Sequence, residues 1–331
     1  MLSRIAENLF WMGRYVERAE NTARLLDVNY HAIVEAPLVP GARELVVEQW
    51  APLISIIGDE VGFRQHFERA DRTSVPSWLA FHANNPSSIR SSVTRARENA
   101  RTLRDRISLE MWESINRAYL RLAQGVSNSF EDETLHDYCV DARETSHLFF
   151  GIADATLPRN EGWYFLKAGQ YLERADNVMR TLMVRYRQYR GQEPVQRGVE
   201  SHRSIALLKS ISAYEAFRKR HHTSLEPYRV AAFLLLEPEF PRSVRFSVRQ
   251  LSAMLEQIQL RSPETRNDAT HRAGWLSARM EYMRDATAVI EHEDPSLEML
   301  IDDLAGISNA IYAAYFRNDP DQNQRQVQVL T

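Results

Sequence analysis

The sequence GRYVERAEN at residues 13–21 returns as GQYLERADN at residues 169–177. The second copy lies 156 positions after the first, and six of the nine residues are identical. The same spacing relates apolar residues further along each copy, since Leu26 corresponds to Leu182. Agreement at polar and apolar positions together indicates an internal duplication.

Both copies have the periodicity of a long helix. In the first copy, apolar residues recur at steps of three and four over about three heptads. At 100° per residue, the polar residues of each motif fall on the side opposite this apolar seam. The sequence therefore predicts two long helices, each with a buried face and a polar stripe. The two stripes and the tyrosines that precede them comprise Tyr15, Glu17, Arg18, Asn21, Arg24, Tyr171, Glu173, Arg174, Asn177 and Arg180.

Three interpretations of the stripe are open. It is a buried structural network, a ligand-binding site, or a solvated face with spaced ion pairs such as Glu20 with Arg24. Ion pairs on a solvated helix contribute only about 0.2–0.5 kcal/mol each, so they give little reason for two copies to keep the same residues. The first two interpretations are equally favoured, and the solvated face comes third.

The rest of the chain predicts an all-α, multi-helix bundle. The 331 residues contain only 12 Gly and 13 Pro, and no β-hairpin pattern occurs. We expect a single domain over residues 1–317 with two related halves, about 1–156 and 157–317, followed by a mobile polar tail at 318–331. Among the other helices, we expect one over 60–84 and one that begins at Pro86 with Asn85 as its cap. Pro241 is expected near the first turn of another.

Several functional classes find no support in the sequence. The formal net charge of −3 gives no general attraction to nucleic acid. No apolar run reaches 18 residues and no signal peptide is evident, so we expect a cytoplasmic protein that does not insert into membranes. No phosphate-binding loop, nucleophile elbow or His-Glu-x-x-His motif occurs, and we predict no cofactor. Cys139 is the sole cysteine and is expected to be a buried structural residue.

One pattern resembles a metal site. Glu133-x-x-His136 and Glu144-x-x-His147 both have the Glu-x-x-His spacing of di-iron carboxylate bundles. The two motifs lie on one predicted helix, about 16 Å apart, which is too far for a shared metal pair. We therefore predict no metal site.

The basic residues are almost all arginines, because only Lys167, Lys209 and Lys219 are lysines among the 41. A guanidinium can bind carboxylate or phosphate through two parallel hydrogen bonds. Two groups of arginines are candidate anion-binding residues, although a salt-bridged helix surface and a helix start are the favoured interpretations. The first group is Arg97, Arg101 and Arg104, and the second is Arg242 and Arg245.

Motifs along most of the chain resemble the bacterial Alpha-E family, an all-helical domain named for its Glu-Arg motif. The resemblance includes LSRIAE at 2–7 and continues through Asn21, followed by RENAR at 97–101. The remaining matching segments are EGW at 161–163, the second Glu-Arg helix, SAYEA at 212–216 and FPRSV at 240–244. One departure is Gln170, which stands where the first copy has Arg14, so the two stripes need not be equivalent.

The resemblance implies a context. Alpha-E proteins occur beside, or fused to, circularly permuted ATP-grasp proteins, and transglutaminase-like proteins accompany them. ATP-grasp enzymes join carboxylates to amines, so the resemblance implies a non-catalytic helical accessory or substrate-presenting partner of an amide-bond-forming system. An ATP-grasp ligase-like protein is the expected partner, with a transglutaminase-like protein as a second.

Two alternatives remain. One is an enzyme of amide or peptide chemistry, with Glu17 and Glu173 as acid/base groups and with Arg18 and Arg174 binding substrate carboxylates. The other is a purely structural scaffold. The enzyme interpretation requires that these groups converge on a water-accessible pocket.

Overall fold

A computed structural model describes residues 3–34, 49–124, 132–190, 197–221, 225–261, 268–286, 289 and 296–316. Within these ranges the chain forms fourteen α-helices and no β-strand, so it is all-α. The helices are α1 Ser3–Val34, α2 Ala51–Ile57, α3 Glu60–His66, α4 Ser74–Pro76, α5 Ile89–Thr102, α6 Leu109–Gln124, α7 Asp132–Thr156, α8 Glu161–Arg190, α9 Arg197–Ser210, α10 Tyr214–Arg220, α11 Pro227–Leu236, α12 Val244–Arg261, α13 Asp268–Tyr282 and α14 Leu297–Ile311. Two π-helical turns, Ser77–Phe81 and Tyr312–Phe316, continue α4 and α14.

The helices form two similar four-helix groups. In the first, α1 packs on α5, α5 on α6, α6 on α7, and α7 returns to α1. In the second, α8 packs on α12, α12 on α13, α13 on α14, and α14 returns to α8. The two groups join along α1 and α8, which make the most extensive helix pair in the described part of the chain. The matching arrangement is consistent with the predicted duplication, which itself stays a prediction.

Each group has a short helix between its first two long helices. This short helix packs against the central helix of the opposite group. Helix α2 packs on α8, whereas α9 packs on α1. Both central helices are therefore covered on several sides. As a result, the polar stripe of α1 is not a solvated face, since Glu17 and Glu20 have 1% and 0% of their surface exposed.

The predicted helix over 60–84 differs from the structure. The segment 60–84 is not continuous, because the backbone of Phe67 is extended and the Asp71 carboxylate accepts hydrogen bonds from the amides of Thr73 and Ser74. That local cap starts a new helix at Ser74. The predicted tail 318–331 lies outside the described residues.

The predicted helix start at Pro86 lies three residues before Ile89, where α5 begins, and the helix expected near Pro241 begins at Val244. Ser88 caps α5 by accepting from the amide of Ser91, and Ser243 caps α12 by accepting from the amide of Phe246. Asn85 instead accepts a hydrogen bond from the amide of Ser87 and forms a turn before the helix. Serine caps therefore take precedence over the Asn-Pro pair.

A pair of glycines brings α1 and α8 into backbone contact. A Cβ atom placed on Gly13 would lie 2.1 Å from the carbonyl oxygen of Leu166. A Cβ atom placed on Gly169 would lie 2.0 Å from the carbonyl oxygen of Phe10. Since these two contacts exchange when the two helices are exchanged, each glycine makes room for the other helix's backbone.

We expect Gly13→Ala and Gly169→Ala each to lower the free energy of unfolding by about 2–3 kcal/mol or more, because the added methyl forces the helices apart. Gly151→Ala is the matched control, since its Cβ would meet nothing within 4 Å. Alanine in an open helical position should stabilise by up to about 1 kcal/mol. Chemical denaturation measures all three, and equal effects at Gly13 and Gly151 would contradict this packing.

Candidate functional site

The two Glu-Arg motifs bind each other across the α1–α8 crossing. Arg174 donates from Nε to Oε1 of Glu17 at 2.6 Å and from Nη2 to Oε2 at 2.9 Å. Arg18 donates from Nε to Oε1 of Glu173 at 2.5 Å and from Nη2 to Oε2 at 2.9 Å. The same atoms are used in both directions. Each motif arginine is therefore the bidentate partner of the other motif's glutamate.

A further pair of equivalent positions supports each glutamate. Arg14 donates from Nε to Oε2 of Glu173 at 2.7 Å, and Gln170 donates from Nε2 to Oε2 of Glu17 at 3.2 Å. The contacts are equivalent, but the first carries a charge and the second does not. The departure at Gln170 thus lies within the ion-pair network.

The Glu17 side of the crossing contains a second buried carboxylate. Oε1 of Glu20 lies 2.5 Å from Nη2 of Arg24 and 2.9 Å from Nη2 of Arg242. Arg242 also donates from Nη1 to Oδ1 of Asn21 at 3.1 Å. This arginine, which sits just before α12, therefore fills the space beside Glu17 and Glu20.

The ion pairs keep these carboxylates charged. Burial would raise the pKa of Glu173, but Arg18 and Arg14 outweigh burial and hold the pKa at about 2, below the ordinary 4.5. Burial also opposes ionisation of Glu20, yet Arg242, His147 and Arg24 hold its pKa well below the usual range. A carboxylate with such a low pKa is a poor general base near neutral pH.

The Glu173 side of the crossing is open where the Glu17 side is filled. A cavity of about 240 Å³ lies there, lined by residues of both stripes and by the α2–α3 and pre-α5 turns. Its chemistry comes from Arg14, Arg18, Arg180, Asn21, Glu173 and Asp176. Asp176 binds only Arg180 among the described residues, with Nε of Arg180 at 2.8 Å from Oδ2.

The structure brings together eight of the ten stripe residues, at the crossing and its cavity. The exceptions are Tyr15 and Tyr171, which pack beside the network. The guanidinium of Arg18 lies 5.7 Å from the ring centre of Tyr15, and that of Arg174 lies 5.6 Å from the ring centre of Tyr171. The tyrosines thus shield the ion pairs through equivalent cation–π contacts.

The candidate anion-binding arginines do not converge. Arg97 donates to Asn116 and Glu98 and lies over Tyr119, while Arg101 binds Glu98. Arg104 lies beyond the end of α5, over Trp112. Among the described residues, Arg245 reaches the carboxylate of Glu281, at 3.9 Å. Arg242 is the one member of the two groups that joins the Glu-Arg network.

Sequence analysis missed Ser87 and the link between it and Arg242. PSSIRSSV at 86–93 and PRSVRFSV at 241–248 share five of eight residues, at an offset of 155. Both segments end in a serine-capped helix, and Ser87 corresponds to Arg242. Aligning these segments along with the Glu-Arg motifs would have revealed the pairing.

Cys139 and the two histidines of α7 have structural environments. Cys139 is fully buried, and that burial, with Asp27 nearby, raises the pKa of its thiol. His147 faces Glu20 and His136 faces Asp27, so the two Glu-x-x-His motifs direct their histidines to different acids of α1.

One group of potential metal ligands does occur in the described part of the chain. Ligand atoms of Asp27, His31 and His136 all lie within 4.8 Å of one another. Asp27 is already bound on both oxygens, by His136 Nδ1 at 2.7 Å and by Arg143 Nη1 at 3.4 Å. The guanidinium also opposes a second cation at the same carboxylate.

We therefore keep the prediction of no metal site. Elemental analysis of the purified chain should find no stoichiometric transition metal, and His136→Ala should leave the metal content unchanged. Stoichiometric zinc, iron or manganese that is lost in His136→Ala would reverse this conclusion.

The central ion pairs generate a pH-dependent prediction. Because the pKa of Glu173 falls from 4.5 to about 2 on folding, its contribution is complete above pH 4.5 and is lost as the pH falls towards 2. That contribution amounts to about 3 kcal/mol. Glu173→Gln should remove it and leave two buried guanidinium groups without their partner, at a total cost of about 3–5 kcal/mol near neutral pH.

Urea denaturation at several pH values tests this expectation. The stability difference between the native chain and Glu173→Gln should shrink between pH 4.5 and pH 2. The half-exposed Glu98 gives the control, because Glu98→Gln should change stability by less than about 0.5 kcal/mol. A constant difference across the pH range would show that Glu173 is not ionised in the fold.

The chain is thus an all-helical domain whose two central helices exchange Glu-Arg ion pairs. Comparison with protein families matches residues 1–316 to Alpha-E, "a predicted alpha-helical domain with a conserved ER motif". The chain belongs to the Alpha-E family.

Relatives occur in mycobacteria. The chain is 28% identical over 276 residues to uncharacterized protein Mb2597 of Mycobacterium bovis and to uncharacterized protein Rv2567 of Mycobacterium tuberculosis. Each match covers 77% of this chain and 30% of the relative, so the chain spans about a third of the length of these proteins. No solved structure matches the chain. In the described residues, no helix has the length and apolar character that crossing a membrane requires.

Proposed function

We propose that this chain is a non-catalytic helical partner of an ATP-grasp type, amide-bond-forming enzyme, which it holds or to which it presents a peptide substrate. The observation that carries the non-catalytic part is the exchange of Glu-Arg pairs. Glu17 and Glu173 are buried, and each receives a bidentate arginine from the other helix. Both motif glutamates are thereby committed to architecture rather than to proton transfer.

The partnership rests on the family and on the organisation of the relatives. The Alpha-E resemblance implies neighbouring ATP-grasp and transglutaminase-like proteins. In the mycobacterial relatives the matched region is 30% of the length, so similar sequence there adjoins much more protein. A unit that works next to other domains would have this organisation. An ATP-grasp protein is the first partner to test, and a transglutaminase-like protein is the second.

Co-expression with a circularly permuted ATP-grasp protein tests the proposal. A tagged chain should recover the ATP-grasp protein at a stoichiometric ratio through size-exclusion chromatography, with or without nucleotide. Glu98→Gln, at a half-exposed position of α5, is the control for tag and surface effects and should recover the same complex.

Ligation assays address the catalytic alternative. The chain alone, given ATP, an amine and a peptide carboxylate, should form no amide, whereas the complex should. Failure to recover any complex under both nucleotide conditions would remove the partnership. Amide formation by the chain alone that is lost in Glu17→Gln would establish the enzyme interpretation instead.

A further inference from the structure

Apart from the second carboxylate, which is Glu20 on one side and Asp176 on the other, the two sides of the α1–α8 crossing have the same polar groups except at two positions. On the Glu17 side these positions hold Gln170 and Arg242, and on the Glu173 side they hold Arg14 and Ser87. Each side therefore has three arginines around two carboxylates. Both sides have the same number of charges. The third arginine is Arg242, before α12, on the Glu17 side and Arg14, on α1, on the Glu173 side.

The residues at these positions differ in side-chain volume as well as in charge. Arg242 enters from the turn before α12 and occupies the space beside Glu20 and Asn21. Its counterpart Ser87 is too short to do so, and the cavity of about 240 Å³ lies on that side, with Ser87 in its wall. The cavity is thus the space that an arginine side chain fills in the other half.

The charge of the cavity disfavours a cationic ligand in the position that the Arg242 guanidinium occupies on the other side. Arg14, Arg18 and Arg180 face Glu173 and Asp176, which leaves a formal charge of +1 without any ligand. A guanidinium or ammonium ligand would add a further positive charge beside three arginines. A monoanion neutralises it.

The hydrogen-bonding groups of the wall favour the same ligand. The other nitrogens of the Arg14 and Arg18 guanidinium groups bind Glu173 and Ser308. Nη2 of Arg14 and Nη1 of Arg18 donate to none of the described residues. The buried amide nitrogen of Asn21 also has no acceptor among the described residues. The wall therefore has unused donors, which a ligand that only accepts hydrogen bonds would satisfy.

We propose that this cavity binds a carboxylate, held by the guanidinium groups of Arg14, Arg18 and Arg180 and by the amide of Asn21. A carboxylate is planar, carries a single negative charge and matches the fork of an arginine. A phosphate near its dianion would exceed the charge of the wall. The carboxylate belongs either to a small acid or to a peptide terminus, and both present the same group. This site is a property of the isolated chain and does not depend on the proposed partner.

The isolated chain and isothermal titration at constant ionic strength test the site. The probes are sodium propionate, a short peptide with a free C-terminal carboxylate, the same peptide as its amide, sodium phosphate and methylguanidinium chloride. Propionate or the acid peptide should bind, and phosphate and methylguanidinium should bind at least about tenfold more weakly. Binding of propionate indicates a small-acid site, whereas binding of the acid peptide but not its amide indicates a peptide terminus.

The decisive variant copies one half of the protein into the other. Arg14→Gln combined with Ser87→Arg keeps the formal charge unchanged and reproduces the pair Gln170 and Arg242. This variant should fold like the native chain and lose carboxylate binding by at least about tenfold, because its new arginine fills the cavity. Ser87→Ala keeps the cavity open and should bind within about twofold of the native chain.

A second variant covers the case in which the double substitution fails to fold. Arg180 has a partly exposed side chain, so Arg180→Gln should fold and should weaken carboxylate binding at least about tenfold. Arg187→Gln, further along the same helix and outside the cavity, should leave binding unchanged. No carboxylate binding by the native chain, equal binding by the folded double variant or by Arg180→Gln, or preferential binding of methylguanidinium would each overturn the proposal.

Discussion

The exchange of Glu-Arg pairs between α1 and α8 is the interaction on which the rest of the structure depends. Two oppositely charged groups cost several kcal/mol each to remove from water, and only close, well-aligned partners repay that cost. Bidentate contacts of 2.5–2.9 Å between Arg18 and Glu173 meet this condition. Such contacts need a fixed distance between the helix axes, and Gly13 and Gly169 provide it by allowing backbone contact. The glycines and the ion pairs are therefore parts of one constraint.

That constraint explains the arrangement of the surrounding helices. An ion pair contributes most where water is excluded, and here the short helices α2 and α9 cross over to cover the opposite central helix. Tyr15 and Tyr171 add aromatic surface over the same arginines. A motif that looks like a solvated stripe on a single helix thus becomes the buried centre of the whole bundle.

The sequence predicted the class of fold and the key motif well, because both depend on local periodicity. The 3.6-residue pattern is strong over the long helices, and the repeat marked Glu17, Arg18, Glu173 and Arg174 as important. The partner of each residue was not predictable in this way, because a contact between positions about 156 apart is a tertiary fact. The helix start at Pro86 was placed too early for a local reason, since the helix is capped by Ser88 and not by Asn85.

The cavity depends on the two positions at which the two sides of the crossing carry different residues. If both halves carried Gln and Arg at the two variable positions, an arginine would fill the space on both sides of the crossing and the cavity would be absent. If both carried Arg and Ser, a cavity would be expected on both sides. One half of each type keeps one filled side, where Arg242 adds a charged contact to Glu20, and leaves one cavity beside it. Each side has three arginines around two carboxylates. The two sides therefore carry the same formal charge, although the cavity lies on the Glu173 side.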